Sequence, residues 1–463
     1  MAIVFCLYWF VFNRSLKKQN ILILAASYFF YGWWSYKFLG LLILSTLLDF
    51  AYAFGVASPN RKKAKFFLWL SIVNNLGILG IFKYYNFFAA QFQSILEVFG
   101  LHTNPILLNV FLPIGISFYT FHGMSYVFDI YRGKQKPVTN FIDYAVFVCF
   151  FPLLVAGPIE RAGHLLPQVQ KKRVFDYSQA VEGCRLILWG MFKKVVIADN
   201  LALVADGIFN TYREQNGFTL IIGAIAFSFQ IYCDFGGYSD IAIGTAKLFG
   251  FELLSNFKFP YFSRDISEFW RRWHISLSSW FRDYLYIPLG GSREGKTRAV
   301  INIFIIFLVS GFWHGANWTF LAWGFIHACL FLPLLLLNRN RIHVQTVVAY
   351  DKNLPSLKEV WQMLSTFVCV TIAWVFFRSN TLSSSVGYLK KIFYSIYRHP
   401  DQFLSLPQGS VAFVYIIPLI LADWWLRRDE RKLRKVPLAV YLLIGFLIYI
   451  NFGASNTFIY FQF

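Results

Sequence analysis

His314 stands just beyond an apolar run, residues 299–309, in the stretch SGFWHGANWTF (310–320). An imidazole can take a proton from a hydroxyl or thiol near neutral pH. An ionisable group inside a membrane span is read as functional by default. The bland reading is a packing histidine bonded to a carbonyl of another helix. Trp313 precedes it and Gly315 follows, the glycine leaving room for another group beside the ring. Asn317 is placed to orient His314 or a substrate carbonyl. His327, thirteen residues on, reads as helix packing.

A second polar set lies in ISEFWRRWHISLSSWFRDYLYIPLGGS, residues 266–292, with Glu268, Arg271, Arg272, His274, Arg282 and Asp283 among aromatic residues. Interfacial arginines snorkel and aromatics form a belt, so an interfacial helix accounts for much of it. A neutral histidine is a poor anchor. His274 fits an entrance for an anionic, phosphate-bearing substrate, with Arg271 and Arg272 beside it. Asp283 pairs with Arg282 or with another partner. A third island, FQIYCDFGGYSDIAIG (229–244), offers Tyr232, Asp234, Tyr238, Ser239 and Asp240 around Gly236 and Gly237. The glycines imply a kinked or closely packed helix, and the acids would pair with buried arginines such as Arg161. For Asp240 structural pairing is the favoured reading, because a carboxylate buried alone is too costly. Residues 112–133, with Pro113, Gly115 and His122, read as a broken helix lining the same interior. The eight histidines form no HExxH or close pair, and no Rossmann, P-loop or GxSxG pattern occurs. No metal site is expected. The six cysteines form no CxxC pair and read as apolar fillers.

What must position these groups is a membrane fold. Hydrophobic residues make up 57% of the 463 and charged residues 14%, against about a quarter charged in soluble domains. Mean hydropathy is +0.51. The net charge of +20 clusters between apolar blocks, which fits anchoring to anionic lipid and excludes a nucleic-acid partner. No polar linker divides the chain, so residues 1–463 read as one polytopic domain of all-α class. The opening MAIVFCLYWFVFNR reads as a short first span and not as a cleaved signal. About eleven spans are expected, with re-entrant and interfacial pieces where blocks fall short of the roughly 20 residues a span needs. Basic clusters on alternate loops, at 14–18, 61–65, 132–136, 293–298 and 427–435, mark the cytoplasmic side. His314 then lies towards the outer end of its span. Residues 159–210 break this alternation and read as surface-lying helices, and 379–410 as a structured outer loop.

The motifs RRWHISLSSWFRDYLYIPLGG, SGFWHGANW, NILILAASYFFYGWW, LPIGISFYTF, AGPI, FKKVVIADNLA and YCDFGGYSDIAIG resemble the membrane-bound O-acyltransferases, in particular the bacterial alginate O-acetylases and peptidoglycan O-acetyltransferases. The teichoic acid D-alanyl transfer proteins are more distant. The resemblance covers nearly the whole chain. It implies a ring of helices around a funnel or tunnel, in the bacterial inner membrane, with an active site open to both faces. It puts the family's essential histidine at His314 and its second histidine at His274. Candidate tunnel-lining residues are Asn317, Arg271, Arg272, Trp313, Tyr238 and Asp234. The implied donor is acetyl-CoA or a similar acyl thioester from the cytosol, with no cofactor bound permanently. The implied partners are a periplasmic acyltransferase acting on an exported polysaccharide, and membrane lipids. The end of the chain, FIYFQF (458–463), resembles an export motif in which a tyrosine, here Tyr460, relays the acyl group; packing of the terminus is the other reading. His122 leans the acceptor towards peptidoglycan over alginate. A transporter or flippase of a lipid-linked anionic saccharide is the competing class, since broken helices and an interior histidine fit it too.

Overall fold

The computed structural model describes residues 1–101, 104–109, 111–344, 346–398, 410–453 and 458. The described residues form helices and connecting turns, with no strand among them. This follows from the setting: inside hydrocarbon a backbone must satisfy its own hydrogen bonds, and a single helix does so. Among the described residues six helices are long and apolar enough to cross a membrane: Tyr36–Val56, Arg61–Val98, Gly217–Leu248, Lys296–His314, Trp318–Leu336 and Leu357–Arg378. That is fewer than the eleven expected. Several apolar blocks fold into shorter helices, such as Leu438–Asn451 with 14 residues, about 21 Å long against a hydrocarbon core of about 30 Å.

Backbone contacts divide the chain into two units. The first comprises Met1–Cys184 and Ala242–Leu254. Its helices include α1 (Leu16–Trp34), α2 (Tyr36–Val56), α3 (Arg61–Leu79), α4 (Ile116–Tyr131) and α5 (Ala162–Gln170). Asp49 of α2 is buried and accepts hydrogen bonds from Ser71 Oγ (2.7 Å) and Asn75 Nδ2 (2.8 Å) of α3. The broken helix expected in 112–133 is instead a single unbroken helix, α4, preceded by a turn in which Gly115 takes a left-handed backbone (φ 74°) as its N-cap. His122 serves the packing of this unit. Its Nε2 accepts from the Glu160 backbone N–H (3.1 Å). The Glu160 side chain binds His164 Nδ1 (2.7 Å) and accepts from Leu254 N–H (2.6 Å).

The second unit comprises Arg185–Ile241 and Ser255–Phe463. It is built from most of α6 (Gly217–Leu248) and from α7 (Ile266–Arg272), α8 (Ile275–Phe281), α9 (Lys296–His314), α10 (Trp318–Leu336), α11 (Leu357–Arg378) and α12 (Leu382–Arg398). The polar island 229–244 lies inside α6, a single helix of 32 residues. Gly237 serves close packing, as expected: a Cβ there would stand 2.6 Å from the Gly190 carbonyl oxygen, whereas one at Gly236 would meet nothing nearer than 3.7 Å. Asp240 is paired, as expected, though its partner is Lys193 (2.8 Å) and not an arginine. α9 and α10 form an antiparallel pair with touching backbones. A Cβ at Gly311 would stand 2.2 Å from Phe320 O, and one at Gly324 2.3 Å from Phe307 O. That contact fixes where the C-terminal end of α9, and with it His314, is held.

Candidate active site

The second unit brings His274 and His314 together, with ring centroids 6.4 Å apart. Each is placed by a different local device. α7 starts at Asp265, whose Oδ1 accepts from Glu268 N–H (2.7 Å), and it ends at Arg272. The chain turns sharply at His274, a non-glycine residue in the left-handed region (φ 43°, ψ 55°). Such a conformation costs on the order of 1–3 kcal/mol and persists only where its surroundings enforce it. Asn256 supplies the enforcement. Its carbonyl accepts from Ile275 N–H (2.9 Å), its Oδ1 from Ser276 Oγ (2.5 Å), and its Nδ2 donates to Ser239 Oγ (3.0 Å). His274 is thus fixed at a corner, 1% exposed, with the edge of Phe235 against it (4.7 Å).

His314 is the last residue of α9 and 5% exposed. Aromatic rings enclose it: Trp313 at 4.9 Å, and Trp323 of α10 and Phe377 of α11 at 5.2 Å each. Trp323 in turn stacks on Trp374 (5.7 Å, 21°). The room made by Gly315 is filled by Phe320, whose ring would lie 2.1 Å from a Cβ there, and not by a ligand. A dry aromatic box strengthens electrostatic interactions and keeps water from a reactive ester. The two imidazoles are close enough to act on one small reacting group.

Burial alone pushes the His274 imidazole down to about 3. His274 lies outside the six long apolar helices. It is therefore neutral in the working range, which suits a hydrogen-bonding role in the interior better than attraction of a phosphate at an entrance. The unfolded chain binds a proton here below about 6.5 and the folded chain does not, so stability falls as pH drops below that value. Between pH 7 and pH 5 we expect a loss on the order of 1–2 kcal/mol, read as a lower Tm in detergent. The His274→Gln variant should lose that share of the pH dependence; an identical pH slope in both proteins would remove the assignment.

The remaining candidates have mixed placements. Trp313 contacts both imidazoles (4.9 and 6.0 Å). Arg271 donates to Ser267 Oγ (2.7 Å) and to the carbonyls of Asn340 (3.0 Å) and His343 (3.3 Å). Arg272 is held by Glu268 (2.8 Å), which also takes Arg264 (3.0 Å). Asp234 is ion-paired to Lys194 (2.7 Å), and Tyr238 stacks on Phe458 (5.1 Å). Arg282 pairs with Asp283 (2.8 Å). His327 packs, its Nδ1 accepting from Trp270 Nε1 (3.2 Å). Tyr460 lies outside the described residues.

Asn317 caps α10. Its Oδ1 accepts from Thr319 N–H (3.0 Å) and its Nδ2 donates to the Asn380 carbonyl (3.0 Å). An asparagine just before an apolar helical run is an N-cap signature. Asn317→Ser should keep transfer activity, while Asn317→Ala should destabilise by about 1 kcal/mol. A folded, inactive Asn317→Ser protein would instead make the amide part of the chemistry. Sequence reasoning missed Phe235, Trp323 and Phe377. A faint signal existed in Trp374 and Phe377, which share a helix face at i and i+3.

Compared with known proteins, residues 120–376 match the family model described as MBOAT, membrane-bound O-acyltransferase family. That segment contains both histidines. A Pseudomonas putida protein named Probable alginate O-acetylase is 40% identical, covering 91% of this chain and 85% of its own. The Peptidoglycan O-acetyltransferase of Helicobacter pylori is 32% identical, covering 95% and 91%. The Teichoic acid D-alanyltransferase of Bacillus subtilis is 31% identical over 48% of this chain and 58% of its own.

Proposed function

The chain belongs to the membrane-bound O-acyltransferase family, and on that premise we propose that it moves acetyl groups from a cytosolic thioester, acetyl-CoA or similar, to the hydroxyl of an exported polysaccharide. The observation that carries this reading is the pair of buried imidazoles 6.4 Å apart at the C-terminal end of α9. The motive for such a device is physical: a polar carrier cannot cross about 30 Å of hydrocarbon cheaply, whereas an acetyl group passed along inside protein can.

In the proposed step His314 takes the proton of the attacking hydroxyl as its oxygen bonds to the thioester carbonyl carbon. The tetrahedral intermediate carries its charge on the former carbonyl oxygen. A neutral His274 donates a hydrogen bond to that oxyanion without losing its proton. The C–S bond then breaks, the imidazolium returns its proton to the leaving sulfur, and an ester and a thiol result. The hydroxyl belongs to Tyr460 or to a periplasmic acyltransferase partner that finishes the modification. In the relay, Tyr460→Phe removes only the acceptor oxygen and transfer should fall to background; near-normal transfer would leave the terminus a packing element.

As acceptor we favour an alginate-like polymer over peptidoglycan, against the lean given by His122, because identity is 40% to the alginate-type relative and 32% to the peptidoglycan-type one. The inner membrane is the matching location. Mass analysis of secreted and wall polysaccharides, with and without this protein, tests the reading. O-acetyl groups should disappear from one polymer in its absence; unchanged acetylation of all of them would end it.

A further inference from the structure

Away from the aromatic box, the second unit holds a cavity of about 870 Å3 between α9, α10, the 267–286 corner and the 338–344 turn. Its walls are graded. The exposed part of its lining, the mouth, carries the cations Arg282, Lys296 and Arg341 and the hydroxyl of Ser292, while Arg271 and Ser279 line it half-buried. Arg282 is paired to Asp283, whereas Lys296 and Arg341 make no ion pair among the described residues. Both are exposed. Further in, the wall is apolar: Ile303, Ile306 and Phe307 of α9 face Phe331 and Leu335 of α10. Ser310, 4% exposed and one turn before His314, also lines the cavity. From Lys296 to Ser310 the groove follows about 21 Å of helix, at about 1.5 Å per residue. Leu336, also in the lining, is 44% exposed, so the apolar wall runs out onto the surface of the span pair.

We propose that this groove binds an anionic phospholipid of the surrounding bilayer, with its phosphate head on the cations at the mouth and an acyl chain along α9 and α10. Charge complementarity selects the head, since basic pockets between spanning helices take anionic headgroups. The lining selects the tail. A hydrocarbon chain needs no hydrogen bonds, whereas the amide-rich arm of a soluble phosphate-bearing thioester would bury polar groups against leucine, isoleucine and phenylalanine. Ile275 and Ser278 of α8 also line the groove, so the lipid braces the corner that holds His274 in its left-handed conformation. The inference stands apart from the acyl-transfer reading: a transporter with the same groove would bind the same lipid.

The test uses the full chain, purified in neutral detergent and titrated with phosphatidylglycerol or with phosphatidylcholine of the same acyl chains, with Tm as the readout. Phosphatidylglycerol should raise Tm saturably and phosphatidylcholine should not. In the Lys296→Gln/Arg341→Gln protein the midpoint should shift about thirtyfold to higher lipid, about a factor of five for each cation removed. Glycerol 3-phosphate and acetyl-CoA separate the sources of phosphate, and neither should reproduce the rise. Equal stabilisation by both lipids, stabilisation by acetyl-CoA in place of phosphatidylglycerol, or an unshifted midpoint in the double variant would each overturn the proposal. A photoreactive phosphatidylglycerol supplies a readout that does not depend on the variant's stability. It should label residues 299–310 or 331–336, and labelling confined to other segments overturns the assignment.

Discussion

Replacing His314 with alanine is expected to lower acetylation of the exported polymer by about 10²–10⁴-fold, the range associated with loss of a general acid–base group. The protein itself should survive the change. The ring is enclosed by Trp313, Trp323 and Phe377, and the last two keep their own contacts with Trp374 and Phe320 when it is removed. The readout is O-acetyl content per polymer in cells carrying equal amounts of folded protein. His314→Gln sharpens the test, because it restores much of the volume and a hydrogen-bonding end but cannot shuttle a proton near neutral pH. Both variants should be folded and inactive, His314→Gln closer to wild type in stability than His314→Ala. A fully active His314→Gln protein would reduce His314 to a packing group.

The second large effect is expected at Lys194. Its ammonium lies between Asp199 (2.8 Å) and Asp234 (2.7 Å), and the two carboxylate side chains are 6% and 3% exposed. Removing one member of a buried ion pair costs about 3–5 kcal/mol, since the remaining charge loses its compensation. Lys194→Met keeps the side-chain length and deletes the charge, and should sharply reduce the monodisperse fraction in detergent and the Tm. Adding Asp234→Asn removes one of the stranded charges and should recover part of the loss. Transfer activity should return with the fold. A stable, well-folded double variant without activity would instead give Asp234 a role towards substrate, as its place among the candidate tunnel-lining residues suggests.

The histidines could be picked out from sequence because water-loving groups stand out in an apolar setting. His314 ends an apolar run and His274 interrupts an aromatic, basic one, and the cost of burying either marks it. The enclosure could not be read. Trp323 and Phe377 reach His314 from two other helices, and sequence spacing says nothing of contacts between residues 63 apart (314 to 377). Asp234 shows the same limit, since its partner Lys194 lies on a different helix. Asn317 is another matter: its position before 318–336 carries a local capping signal, overshadowed by its nearness to His314. Span counting ran ahead of helix length, because apolar composition marks a short and largely exposed helix such as Leu438–Asn451 as strongly as it marks a helix long enough to cross. The all-helical class needed only composition.

In the proposed mechanism one imidazole serves a thioester from one side of the membrane and an alcohol from the other. The direct measurement reconstitutes the purified protein, with its periplasmic partner, in sealed vesicles loaded with radiolabelled acetyl-CoA and counts label on a polysaccharide supplied outside. Label should appear on the outer polymer with wild type and stay at background with His314→Ala. Label on the polymer at the same rate with both proteins, or thioester left untouched by wild type, would contradict this mechanism.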